Sequence, residues 1–465
     1  MTIKADFEMT PGSIIEFVRV LIPEAKGKEM EIVSLSNGEV MSLKVISDGR
    51  EAVFNYPNHT DRIDDQKIIM IKMALLEMYG KDYPWGGLIG VRPTKLVRRM
   101  LTLKYSYDEI KTVLQGLYKV SQVKADLLVE VVKKEMKFLN RDHINMYIGI
   151  PFCPTKCRYC SFASYEIEGP VGRNFYRGVV ETLLEEIKLT GEFLADNPQK
   201  IESLYFGGGT PSVLTEEDMV RVLEAVRKHI DLTHIKEFTF EAGRVDTLNR
   251  KKLEIMKEYG VDRISLNPQT FNEDILKELN RSFDREKFDE MYAISRELGF
   301  IINMDLILGL PGEGAREIYH TLDEIEKYDM ENLTIHVLAL KRASKLYQEG
   351  YEKEELNKEE FERKLNNLLS KKGLEPYYMY RQKNSIEWGE NLGYAVPGTE
   401  SIFNIEMIEE NQSTIGLGGG AITKRIEALS DVIDNIDKVV NPKDPALYIR
   451  EMKERLSKKF DLFRG

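Results

Sequence analysis

Between Asn145 and Leu340 the sequence repeats one pattern six times: a short β-branched or aromatic run, then a longer charged segment of helical period. The runs are "MYIGI" (146–150), "SLYFGG" (203–208), "EFTFEA" (237–242), "DRISLN" (262–267), "INMDLILG" (302–309) and "LTIHVLAL" (333–340). Segments such as "TEEDMVRVLEAVRKHI" and "REKFDEMYAISRELG" read as amphipathic helices. Several open on a Thr, Asn or Asp whose side chain can cap the first turn. Strand followed by helix, repeated, implies parallel pairing through right-handed crossovers. A closed eight-fold barrel takes about 250 residues. Six units in roughly 195 residues predict an open, partial (β/α)6 barrel. Ligands in such folds collect at the carboxyl ends of the strands.

The pattern divides the chain into residues 1–140, 141–344 and 345–465. The first region opens with strand-like stretches and turns helical from about Asp64, which predicts an α+β accessory domain. The last is rich in Glu and Lys, carries the aromatic run "EPYYMYRQ", and ends in helix-period segments, which predicts a C-terminal accessory domain. A formal net charge of -11 gives a field that repels nucleic acid. Nothing approaches the roughly 18 consecutive apolar residues of a membrane span. The start, "MTIKADFEMTPGS", has no apolar core of the secretory kind. The expectation is a cytoplasmic protein with neither a nucleic-acid partner nor a membrane span.

All three cysteines of the chain, Cys153, Cys157 and Cys160, fall in one loop directly after the first run. An odd number at such spacing makes a poor disulfide framework, and clustering argues against scattered apolar filler, so a metal is the leading reading. A four-iron cubane ordinarily takes four thiolates. Three would leave one iron open, and an open position marks a reactive rather than a structural site. Zinc is the competitor, with His143 completing a Cys₃His set. Structural zinc sites, however, usually pair two short knuckles across a loop, so the spacing fits a cluster better.

The C-x₃-C-x₂-C loop after "YIGIPF" is followed, in order, by "FGGGTPS" (206–212), "TFEAGR" (239–244), "ISLNPQTF" (264–271), "LNRSFD" (279–284), "MDLILGLPGE" (304–313) and "IGLGGGAIT" (415–423). Together these resemble the radical S-adenosylmethionine (SAM) enzymes, and within them the oxygen-independent coproporphyrinogen III dehydrogenase family. The resemblance implies a [4Fe-4S] cluster on Cys153, Cys157 and Cys160, with one or two SAM molecules. The amine and carboxylate of SAM would chelate the open iron, and one electron from the cluster would release a hydrogen-abstracting 5′-deoxyadenosyl radical. It also implies SAM contacts from Gly208, Gly209 and Thr210, ribose binding by Glu241, and a second SAM on Gln269, Arg281 and Asp305. Tyr147, Tyr159, Ala339 and Ile422 match hydrophobic or backbone contacts to SAM.

Members of that family decarboxylate two propionates of coproporphyrinogen III to vinyls, giving protoporphyrinogen IX in haem biosynthesis. Others carry haem as chaperones or act as radical methyltransferase-like enzymes on tetrapyrroles. "WGGLIGVRPTKLV" (85–97), inside an extension of about 145 residues before the cysteines, resembles the HemZ-type branch and favours the dehydrogenase. The implied partners are coproporphyrinogen III and a low-potential electron donor such as flavodoxin or ferredoxin. Arg92, Lys95, Arg244 and Arg342 are candidate cations for the substrate propionates. One departure stands out: the best-known members carry a fourth cysteine where this chain has Phe162.

Two glycine patterns imply no nucleotide site. "GLGGGA" (416–421) leaves too little chain after it for a dinucleotide-binding half, and "LGLPGEG" lacks the Lys-Ser/Thr ending of a P-loop. His229, His234, His320 and His336 sit singly and read as packed or surface residues.

Overall fold

The computed structural model describes residues 2–35, 38–59, 63, 65–162, 164–341, 344–351, 356–382, 389–428 and 434–464. The chain forms two compact units, residues 1–133 and 134–465.

In the first unit, strands β1 (Ile3–Ala5), β2 (Met30–Ser34), β3 (Val40–Ser47) and β4 (Arg50–Pro57) make one sheet in that order. β1 lies parallel to β2 and the other neighbours are antiparallel. Alternate residues of β3, Met41, Leu43 and Val45, face inward against helix Gln66–Met78, whose Met70, Met73 and Ala74 are buried. The "WGGLIGVRPTKLV" stretch buries Trp85 and leads into helix Pro93–Thr102, with Pro93 at a first-turn position where its missing N–H costs no bond.

The second unit is built on six parallel strands: β5 (Ile144–Ile150), β8 (Ile201–Gly208), β9 (Glu237–Glu241), β10 (Arg263–Ser265), β11 (Ile301–Leu308) and β12 (Asn332–Val337). They are neighbours in chain order. Each coincides with one of the six runs, and the intervening segments form helices, among them Pro170–Asp196, Glu216–His229, Arg250–Glu258 and Arg285–Glu297. The caps are those expected: Thr215, Asn249 and Asp284 accept the backbone N–H of Asp218, Lys252 and Lys287. Two short strands, β6 (Phe152–Cys153) and β7 (Tyr165–Glu166), pair across the base of the cysteine loop.

Residues 345–465, expected as a third domain, belong to this second unit, and the first unit ends at 133 rather than 140. Their strands extend the barrel sheet at both edges. β13 (Glu375–Arg381) and β14 (Glu390–Ala395) add antiparallel beyond β12. β15 (Thr414–Gly418) adds parallel to β5, followed by β16 (Ile422–Ala428) and β17 (Asp434–Val440). Among the described residues the sheet thus stays open, with eleven strands in the order β13-β14-β12-β11-β10-β9-β8-β5-β15-β16-β17. Helix Ile402–Glu409 sets Phe403 on the ring of Tyr205, with centroids 4.3 Å apart, and Tyr147 stacks on both.

The last helix, Pro445–Phe463, is tied to helix Pro170–Asp196 by a dry ion pair, Lys459 Nζ to Glu186 Oε1 at 2.7 Å, with side chains 2% and 0% exposed. The remaining Glu186 valences are filled by Gly418 N, Tyr448 Oη and Asn441 Nδ2, while Lys459 also donates to Gly416 O. Removing one partner of such a pair strands the other charge in a medium that cannot solvate it. Lys459→Met should therefore cost about 3–5 kcal/mol, read as a lower urea midpoint, with a smaller loss when Glu186→Gln is added.

Candidate functional site

The carboxyl ends of the parallel strands and the loops beyond them enclose a cavity of about 430 Å³ in the second unit. Twelve of the fourteen site residues expected from sequence line it: Cys153, Cys157, Cys160, Tyr159, Gly208, Gly209, Thr210, Glu241, Gln269, Arg281, Asp305 and Ala339. Tyr147 sits one layer deeper, stacked under Tyr205, which does reach the cavity. Ile422 is not brought there. It opens β16, 40% exposed and paired with Val440.

The cysteine loop is clamped at its base. Ile167 N donates to Cys153 O and Tyr165 N to Pro151 O, both at 2.9 Å, while Cys160 N donates to Cys157 O within the loop. The glycine turn after β8 closes on it from the side: Gly209 N donates to Ile150 O and Thr210 N to Phe152 O, each at 2.8 Å. A Cβ on Gly209 would lie 2.4 Å from Phe152 O and 2.9 Å from Cys153 Sγ, so no larger residue fits. Thr210 Oγ1 donates to Cys153 Sγ at 3.5 Å, and Arg244 Nη1 to Cys157 Sγ at 3.7 Å. Burial raises the Cys153 thiol against hydrogen bonds from Ser164 and Thr210, and pushes Cys160 up to about 11. Metal binding at such thiols must displace protons.

His143 lies at the amino-terminal end of β5, bonded to Asn140 and Glu202, so the Cys₃His alternative is not assembled. Among the described residues no three His, Cys, Asp or Glu side chains converge where a single ion could sit. A cubane gives each thiolate its own iron and needs no such convergence. Three thiols on one wall, a cradle that a Cβ would fill, and polar atoms left without partners fit a cluster and a polar ligand beside it. Those atoms are Gln269 Oε1, Asn267 Oδ1 and Arg281 Nε, all buried on residues that line the cavity.

The acids of the opposite wall are set by their neighbours. Glu241 accepts from Tyr205 Oη at 2.5 Å. Burial, with some help from the charge of Asp305, raises its carboxyl to about 7 against that hydrogen bond. Burial also pushes Asp305 up. The hydrogen bond and charge of His336, with hydrogen bonds from Asn303 and Thr334, outweigh it and hold Asp305 below its ordinary range. Arg281 is no surface residue: 7% exposed, it donates to the carbonyls of Gly243 and Asn267. Gln269 holds φ at +68°, unusual for a side-chain residue, fixed by Gln269 N to Asp305 O and Ile307 N to Gln269 O, both 2.9 Å.

The cavity also takes residues that sequence reasoning passed over. His336, read there as packed or surface, is one; Tyr205, Tyr378, Tyr380 and Gln382 are others, with Asn404, Met407 and Ile408 from helix Ile402–Glu409. The two-residue spacing of Tyr378 and Tyr380 on β13 was the available signal that they share a face. Of the candidate cations, Arg244 is at the site, bonded to Asp246 and Thr155 as well as Cys157. Arg92 and Lys95, at the head of helix Pro93–Thr102, are not among the lining residues, and Arg342 lies outside the described residues.

Residues 147–325 match the radical SAM superfamily. The chain is 40% identical over 394 residues to the oxygen-independent coproporphyrinogen-III oxidase-like protein HemZ of Bacillus subtilis (strain 168), covering 82% of this chain and 77% of that one. It is 28% identical over 280 residues to the heme chaperone HemW of the same bacterium, covering 59% of this chain and 69% of HemW. The structure of coproporphyrinogen III oxidase (HemN) from Escherichia coli shares the fold, with a TM-score of 0.52 at 19% identity over 68% of this chain and 70% of that one. The superfamily works with a [4Fe-4S] cluster and SAM. The chain belongs to the radical SAM superfamily and, within it, to the HemZ-type oxygen-independent coproporphyrinogen III oxidase-like family.

Proposed function

We propose that the protein is an oxygen-independent coproporphyrinogen III dehydrogenase, converting two propionates of its substrate to vinyls with loss of carbon dioxide. The observation that carries this reading is the convergence of three thiols, the glycine turn and two buried-wall acids on one cavity at the strand ends. The extent of the likeness to HemZ supports the choice of substrate. Residues 134–465 make up 332 of 465 residues, so a match over 82% of the chain reaches into the first unit, whereas one over 59% need not.

In this reading Cys153, Cys157 and Cys160 hold the cluster, and Arg244 steadies the negative charge beside Cys157. Cluster and SAM together supply one-electron cleavage of the sulfonium and a hydrogen-abstracting radical. Gly208, Gly209 and Thr210 bring backbone close to SAM, with Tyr159 and Ala339 flanking it. The Glu241 carboxylate accepts from ribose hydroxyls, and Gln269, Arg281 and Asp305 hold a SAM beyond. A low-potential carrier delivers the electron that starts each turnover, and after hydrogen abstraction and loss of carbon dioxide the one electron left over passes to an electron acceptor. A second reading, haem carriage, draws on the HemW likeness and on Phe162 standing where a fourth thiol would be.

Anaerobic turnover with reconstituted protein, SAM, a low-potential reductant, an electron acceptor and coproporphyrinogen III should yield 5′-deoxyadenosine and a tetrapyrrole lighter by two carboxyl groups and two hydrogens. Deoxyadenosine without a mass change would reject the substrate. Tight haem binding with neither product would bring haem carriage forward. Cys157→Ala should abolish both visible cluster absorbance and SAM cleavage, and Gly209→Ala should cut iron loading several-fold by displacing the loop at Cys153. Since the Glu241 carboxyl lies near 7 and its ionised form accepts hydroxyls, SAM affinity should rise about tenfold from pH 6 to 8 and stay flat in Glu241→Gln. Equal pH dependence in both proteins would remove Glu241 from the ribose site.

A further inference from the structure

The cavity wall formed by β11, β12 and β13 carries a chain of polar contacts that starts at Asp305 and continues through two residues, His336 and Tyr380, to which the scheme above gives no role. His336 Nε2 lies 3.8 Å from Asp305 Oδ2, and His336 Nδ1 lies 3.2 Å from Tyr380 Oη. All three residues line the cavity. The contact between His336 and Tyr380 is built rather than incidental, because β14 lies between β12 and β13. To meet β12, a side chain of β13 must cross β14.

Two tyrosines do so in parallel. Tyr380 reaches His336, and two residues earlier Tyr378 Oη comes within 3.3 Å of Thr334 Oγ1. The intervening strand makes way for them. Tyr378 is paired with Gly393, where a Cβ would lie 1.8 Å from the Tyr378 ring. Tyr380 is paired with Asn391, whose side chain folds along the sheet, Oδ1 accepting from Val337 N and Nδ2 donating to Tyr380 O. Gln382, next on the same face, adds an Oε1 that is buried without a partner.

We infer that Tyr380, backed by His336 and Asp305, is a binding group for a carboxylate of the substrate. The inference rests on the tetrapyrrole reading and names where one of its propionates is held. His336 lies between the two, Nε2 toward Asp305 and Nδ1 toward Tyr380 Oη, and an Nδ1–H there donates to the phenol oxygen. The phenolic proton then has no acceptor within the chain of three and is donated into the cavity. A substrate carboxylate placed there accepts from the phenol, a hydrogen bond that its own charge strengthens. Burial and the charge of Asp305 push the Tyr380 hydroxyl up to about 12 against a hydrogen bond from Gln382, so it keeps its proton through the working range.

The test is equilibrium binding of coproporphyrin III and of its tetramethyl ester, in one detergent buffer, to the reconstituted protein by fluorescence quenching. Wild type should prefer the tetra-acid. Tyr380→Phe, which keeps the ring, should lower that preference about ten- to a hundredfold through the acid alone, the range of one charge-assisted hydrogen bond. Tyr378→Phe crosses the same strand and should leave the preference intact. An unchanged preference in Tyr380→Phe, or equal losses in both variants, overturns the subsite while leaving the tetrapyrrole reading in place. Binding of acid and ester with equal affinity by wild type does the same. If wild type binds neither porphyrin, the substrate reading falls and takes the subsite with it.

Discussion

Parallel hydrogen bonding from β5 through β12 is the constraint on which the site depends. Because the strands run the same way, their carboxyl ends share one rim, and the register decides which side chains meet there. Glu241 is paired with Ser265 and Ser265 with Asn303, so three polar residues fall in one row. Asp305 is two residues past Asn303 on the same face, within reach of its amide at 2.9 Å, and is paired with Thr334. A slip of one residue would turn each of these side chains to the helix-covered face, where Ile264, Met304 and Ile335 now pack. The hydrophobic outer face therefore protects the polar rim: the register that buries the apolar residues also gathers the acids.

The second requirement is a close approach of backbones where β5 and β8 end. The cysteine loop leaves the sheet at Pro151, and the turn after β8 lies against it with no side chain between, held through Gly209 N and Thr210 N. On the other flank β15 runs parallel to β5, and its terminal Gly418 N is bonded to Glu186 beside the Lys459 ion pair. A buried ion pair is weak evidence of stability by itself, since desolvation offsets much of its attraction. Here it fixes a geometry. Glu186 and Lys459 bond to Gly418 N and Gly416 O, so the strand flanking β5 is held by the last helix as well as by the sheet.

Most of the barrel was legible because its signals are local. Each strand is one apolar run, three of the helices open on their own Thr, Asn or Asp cap, and the thiols fall within eight positions of one another. What escaped is what depends on distant pairing. "EPYYMYRQ" reads as a strand with two aromatics on one face, but nothing local says that β13 reaches the sheet through β14 or that β15 lands on the opposite edge. The last 120 or so residues therefore looked like a separate domain, although their strands complete the sheet. His336 failed for the same reason. Alone on a strand, a histidine looks like packing, and its meaning comes from Tyr380, 44 residues on and two strands away. Ile422 failed differently: its motif placed it near the glycines, but β16 leads away from the rim and leaves it paired with Val440.

Charge shows why an acidic chain needs such distributed donors to hold an anionic ligand. The two arginines among the described residues that line the cavity are already committed. Arg244 spends Nε and Nη2 on the two oxygens of Asp246, a forked pair that fixes the guanidinium plane beside Cys157. Arg281 is pinned by backbone carbonyls of two different loops, which keeps its charge beside the cysteine loop. Both cations thus neutralise the side of the cavity where thiolates would collect. The far wall, with Asp305 ionised and Glu241 near neutrality, has no comparable fixed arginine among the described residues that line it. An anionic group there is met by hydrogen bonds from neutral donors and by Lys341, which lines the cavity just past β12. His336 lies against Asp305 on this wall, and Tyr380 is the hydroxyl to which it is joined.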